Sequence, residues 1–154
     1  MSDWGDFFTG VAELAVGAAV VGGVAYAISN EMDKNIDQLI QIPEERAVPT
    51  LADQVPRMDN DAWNLFYERL AVKAQHSVYA RGLLAFSVCV RGSMNEIEQL
   101  LSYSIQEAFS IITEIFPQKE EIEKLAFLST LNTYAGENVK ARAIFNKLQA
   151  ALEE

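Results

Sequence analysis

The chain has one cysteine, one histidine and four prolines in 154 residues, and each scarcity removes a class of chemistry. Cys89 alone cannot close an internal disulfide. With His76 as the only imidazole there is no Cys/His set for a soft-ligand metal, and a di-metal carboxylate bundle would need Glu-x-x-His pairs that one histidine cannot supply. On a single predicted helix Cys89 and His76 stand roughly 20 Å apart along the axis, too far for a nucleophile and its base. Bases are also short: 12 Lys and Arg against 22 Asp and Glu leave a net charge of −10. Such a chain repels phosphate backbones and anionic headgroups, so no nucleic-acid partner is expected. The residues point to no enzyme, no cofactor and no metal. What is plentiful is apolar surface: 50% of the residues are hydrophobic, ample for a packed core.

The longest apolar stretch is Phe7 to Ile28, where the only charge is Glu13. It is long enough to cross a bilayer. Ala15, Ala19, Gly23 and Ala27 recur every fourth residue, and with Gly22 they make a ridge of small side chains where a second helix backbone can approach closely. Glu13 is expected at an interface, or as a functional carboxylate that needs a partner. The large apolar residues favour insertion by about 3 to 5 kcal/mol and a central charge opposes it by about 3 kcal/mol. The balance is near even, so either lipid or protein can cover the stretch. The glycines from Gly17 to Gly23 have phosphate-loop spacing, but Gly23 and Val24 stand where that motif requires Lys and Ser or Thr. Asp3 and Asp6 precede the stretch in place of the basic residues of a secretory signal.

Met32, Ile36, Leu39 and Ile40 continue the apolar stripe at helical spacing, which predicts one helix from about Asp6 to Gln41 and a first segment over 1–42 that anchors the chain. Pro43, Pro49 and Pro56 then predict a semi-rigid connector over 43–59. The nearest bases after the stretch are Lys34 and Arg46, with none before Phe7. In a membrane-spanning chain this orients the C-terminal domain to the cytoplasm.

Residues 60–154 read as a helical domain. Asn60 or Asp61 can cap a long helix carrying Trp63, Phe66, Tyr67, Leu70 and Ala74, which ends at Gly92. Ser93 to Glu96 has the pattern of a capping box for the next helix, which carries Ile97, Leu100, Leu101, Ile105, Ala108, Ile112 and Ile115 and stops before Pro117. A fourth starts at Pro117 with Glu120, Glu121 and Glu123 in its first turn, and carries Ile122, Leu125, Leu128 and Leu131. After a break at Gly136, Ala141, Ile144, Phe145, Leu148 and Leu152 mark a fifth. Arg69, Lys73 and His76 form a basic strip; His76 at its end is expected to be merely solvated or paired with the acidic third helix, and alternatively the strip is expected to face a partner. The fold expected is all-α: a long apolar N-terminal helix, a proline-rich connector and a C-terminal four-helix bundle or short helical-repeat domain.

Leu128, Gly136, Ala141 and Phe145 fall at spacings that resemble a tetratricopeptide repeat over about 121–152, with Leu148 where a small residue is usual and Asn132 in place of the usual Tyr. An ordinary helical hairpin with a glycine turn accounts for the same residues. The resemblance implies partner binding if the preceding helices stack in the same way. The function expected is that of a helical interaction or assembly subunit with protein partners, either a homo-oligomer or part of a larger complex. Its N-terminal helix would associate it with a membrane or, alternatively, with a soluble assembly. The competing expectation is a membrane-active protein that oligomerises into a pore or an ejection-type channel.

Overall fold

The computed structural model describes residues 32–153. Phe7 to Ile28, and with it Glu13, Ala15, Ala19, Gly22, Gly23 and Ala27, lies outside the described residues. Within them the chain is all-helical and has no strand. Helix α1 covers 32–39, α2 Glu44–Gln54, α3 Asn60–Ala74, α4 Val78–Leu100, α5 Ile105–Ile115, α6 Glu121–Ala135 and α7 Val139–Glu153. Short 3-10 turns, Val55–Arg57 and Phe116–Gln118, follow α2 and α5. Among the described residues no helix is long and apolar enough to cross a membrane.

Two compact units divide the chain, Met1–Ser87 and Val88–Glu154, and α4 runs through the division. In the first, Met32, Ile36 and Leu39 of α1 are fully buried, as are Ala47 and Leu51 of α2, Val55, and Phe66 and Leu70 of α3. Their three- and four-residue spacing puts one apolar stripe of each helix inward. In the second, Ile97, Leu100, Ala108, Ile112, Phe116, Phe127, Leu131, Ala141, Ile144 and Leu148 form one core.

The expected connector over 43–59 is instead mostly helix, with Ala47, Thr50, Leu51, Ala52, Gln54 and Val55 buried. Pro49 lies inside α2. Its ring and its missing N–H bear on the Glu45 carbonyl, and both residues are exposed. The buried stripe outweighs that local loss, because most helical stability in proteins comes from packing of the apolar face. Helix ends also differ from those expected. Asp59, not Asn60 or Asp61, caps α3, its side chain accepting from the Ala62 N–H at 2.8 Å. The helix expected to reach Gly92 stops at Ala74; Ser77 then caps α4, accepting from the Ala80 N–H at 3.1 Å. Gly92 and Ser93 are interior to α4, so neither the expected stop nor the expected capping box exists. The chain turns instead at 101–104, where Ser104 accepts from the Glu107 N–H at 3.1 Å to start α5. Pro117 belongs to the 3-10 turn, and α6 begins one turn later with a reciprocal capping box of Glu120 and Glu123. The break at Gly136 falls where expected.

The helices follow one pattern twice, at an offset of 61 residues. Residues 32–39 match 93–100, the second part of α4; α2 matches α5 end for end, the two 3-10 turns match, α3 matches α6, and α4 begins at Val78 as α7 begins at Val139. Burial follows the same offset: Ile36 and Ile97, Leu39 and Leu100, Ala47 and Ala108, Leu51 and Ile112, Phe66 and Phe127, Leu70 and Leu131, Ala80 and Ala141, Leu83 and Ile144 are all buried. So do the polar links. The Tyr79 hydroxyl donates to the Ile42 carbonyl at 2.7 Å, and the Lys140 ammonium to the Tyr103 carbonyl at 2.7 Å. Lys73 meets Asp37 at 2.7 Å, and the Tyr134 hydroxyl donates to Glu98 at 3.1 Å. The Arg81 guanidinium donates back to the Ala74 carbonyl at 3.2 Å, and Arg142 to that of Ala135 at 3.1 Å. Shared helix propensity cannot reproduce links between residues 36 or 37 positions apart. The described chain is a tandem repeat of a four-helix pattern, 32–92 and 93–153.

Candidate functional site

The basic strip is used inside the first unit. Arg69 on α3 lies 3.7 Å from Asp33 and Lys73 lies 2.7 Å from Asp37, so both reach α1. The hydrogen bond and charge of Asp37 raise the Lys73 ammonium above its ordinary pKa. His76 does not join them; it is exposed in the turn after α3, where its backbone N–H donates to the Lys73 carbonyl at 3.1 Å. The expected pairing with acids of the third helix is therefore corrected. Those acids have partners in their own unit: Glu96 binds Lys119 at 2.7 Å, Glu98 accepts from Tyr134, and Glu107 starts α5.

Cys89 is half-buried beside a recess of about 340 Å3 lined by Val88, Gly92, Ser93, Glu96, Lys119 and Glu123. Burial, then the charges of Glu123 and Glu120, push its thiol pKa up. That is the opposite of what a nucleophilic thiolate needs. Lys119, the one base in the lining, is engaged by Glu96 and lies over the Phe127 ring, 5.2 Å from its centre. Among the described residues no group of three or more His, Cys, Asp and Glu could hold a metal.

The hairpin of α6 and α7 carries a groove of about 320 Å3 lined by Leu128, Ser129, Asn132, Phe145, Gln149, Leu152 and Glu153. Of the residues that suggested a tetratricopeptide-like hairpin, Ala141 and Leu148 are buried, whereas Leu128 and Phe145 are only partly buried and line the groove. Leu125 and Leu152 are 44% and 50% exposed. Helical periodicity marks these leucines as apolar but does not tell a core face from an open one. The signal that separates them is the repeat: Leu125 and Leu152 stand where the first repeat has Asn64 and Arg91.

Beside the turn that joins α6 to α7, burial and the hydrogen bond to Glu98 push the Tyr134 phenol up to about 12. This folded-state value lies above the ordinary phenol value of about 10. Stability held by the neutral phenol is thus fully present below pH ~10 and lost as pH rises through ~12. Wild-type stability is expected to fall more steeply than that of Tyr134→Phe between those values, in urea melts read by circular dichroism. Equal slopes would remove Tyr134 as the cause.

No protein family, curated protein or solved structure matches the chain.

Proposed function

We propose that the chain is a non-enzymatic helical interaction or assembly subunit, attached to a membrane or a multi-subunit complex through its Gly/Ala-rich N-terminal segment. The observation that carries this reading is the tandem repeat of a four-helix pattern. Repeated hairpins that bury their inner faces and present outer ones suit binding to other chains. The two copies, 32–92 and 93–153, are read together as a short helical-repeat module. In a membrane-attached form its side is the cytoplasm, from the bases Lys34 and Arg46 that follow the apolar stretch.

The size of the purified full-length chain with and without detergent tests the proposal. A large particle in plain buffer supports a soluble assembly, and extraction only by detergent supports membrane attachment. A monodisperse monomer in plain buffer, unchanged by detergent, overturns both.

A further inference from the structure

We infer that the face of the first copy carrying Met58 and Ala62 is the docking site of the chain's own residues 27–31, with Ala27 and Ile28 seated against it. The inference goes beyond the assembly reading and rests on the tandem repeat and on the burial of this face.

Three observations converge. The first is continuity. Residues 93–100 of the second copy do not start a helix. They prolong α4, whose turn at 89–92 supplies carbonyls to the N–H groups of 93–96. Helix α1 matches 93–100 position for position, so the N–H groups of its first turn need acceptors from beyond 32–39. Met32 at its start is fully buried and Asn35 nearly so, which gives water little access to that turn. The carbonyls of 28–31 are the ones the repeat assigns to it.

The second is the chemistry of the wall. In the second copy Val88, Cys89 and Gly92 share a recess with Lys119 and Glu123. That wall is charged, with Lys119 held 2.7 Å from Glu96, and the recess stays open at about 340 Å3. At the offset of 61 residues the first copy has Met58 for Lys119, Ala62 for Glu123 and Asn35 for Glu96. Met58 is 3% exposed and Ala62 0%. An apolar wall gains from a cover that takes it out of water, and Ala62 lets that cover come closer than Glu123 does.

The third is the occupant. The same offset puts Ala27, Ile28 and Glu31 where the second copy has Val88, Cys89 and Gly92. Ala27 and Ile28 are apolar, and no charge falls between Glu13 and Glu31, so seating them desolvates no ionised group. Ala27 stands five residues before Met32, a tether of at most about 18 Å. A second copy would compete with a segment already held at the face at high effective concentration. Docking takes Ala27 out of the ridge of small residues open to another helix and leaves Phe7 to Tyr26 for the attachment.

The test is cross-linking of the dilute full-length chain in a Cys89→Ser background with a short bismaleimide. One pair is Ile28→Cys/Ala62→Cys and the other Glu31→Cys/Met58→Cys. The control, Ile28→Cys/Gln75→Cys, places the second thiol at the far end of α3, about 20 Å along the axis from Ala62. Gels and mass spectrometry of the linked peptides read the products, and circular dichroism identifies the variants with wild-type helix content. The expected result is a link within one chain for both pairs, at a yield at least about ten-fold above the control, as proximity dictates. No link above the control in a folded variant of either pair overturns the inference. A link between two chains, seen at twice the mass, assigns the face to a second copy and also overturns it. These results do not depend on particle size with and without detergent, so failure here and failure of the assembly reading are distinguishable.

Discussion

Phe66→Ala and Phe127→Ala are each expected to destabilise the chain by about 3–5 kcal/mol, the range for removing a fully buried aromatic ring. Both rings have 0% exposure, and they occupy the same place in the two repeats. Phe127 packs against Phe116 with ring centres 6.1 Å apart and carries the Lys119 ammonium above its face. Phe66 has Trp63 at 6.0 Å. Alanine in either place leaves a cavity inside a stripe of branched and aromatic neighbours, Leu70 in one unit and Ile112 and Leu131 in the other. The net stability of a small domain is only about 5–15 kcal/mol, so such a loss is a large fraction of it. Urea denaturation of each variant, followed by circular dichroism, measures it. A loss below about 1 kcal/mol at either position would contradict the burial described for that ring.

The helical class and about half of the buried apolar positions were legible in the sequence, because spacing identifies an inward stripe; in α6 it pointed to Ile122, Leu125, Leu128 and Leu131, whereas Ala126, Phe127 and Leu131 are buried. Ile36, Leu39, Phe66, Leu70, Ile97, Leu100, Ile112, Leu131 and Ile144 were read as apolar helix faces, and each is buried. The punctuation was less legible. Three prolines in 43–59 suggested a connector, but Pro49 and Pro56 sit where α2 is exposed and where it tightens into a 3-10 turn, leaving the buried stripe intact. Pro117 holds the equivalent place after α5.

The repeat escaped a reading by local pattern because its two copies share few residues and exchange the rest. Ile36/Ile97, Leu39/Leu100, Ala47/Ala108, Pro56/Pro117, Phe66/Phe127, Leu70/Leu131, Ala80/Ala141 and Arg81/Arg142 are identical. The links between helices, however, are made with different chemistry. Lys73 in one copy answers to Tyr134 in the other, and Tyr79 answers to Lys140. Each pair keeps a donor of similar reach aimed at the same acceptor, a carboxylate on the first helix or a carbonyl in the turn after it. A comparison at the fixed offset finds the repeat from sequence, whereas hydrophobic periodicity cannot.

Gly92 decides between the two ways of dividing the chain. If the helix ended there with a left-handed glycine, Gly92→Ala would cost about 1 kcal/mol. In the structure Gly92 is interior to α4, no glycine among the described residues has a positive φ, and a Cβ built at Gly92 meets no atom within 4 Å. Gly92→Ala is therefore expected to stabilise the chain by about 0.5–1 kcal/mol, the difference in helix propensity between the two residues. Gly82 offers a control, since its counterpart in the second copy is Ala143 and a Cβ there also meets nothing. Gly92→Pro is expected to cost about 3 kcal/mol or more, because the ring removes the bond to the Val88 carbonyl and collides with it. The larger consequence lies in where that break falls. Residues 78–92 close the first copy and 93–100 open the second on the same unbroken helix, so a proline at the junction interrupts the one element that belongs to both. Thermal and urea melts of the two variants read opposite signs if α4 is continuous, and a destabilising alanine would place the turn at Gly92 after all.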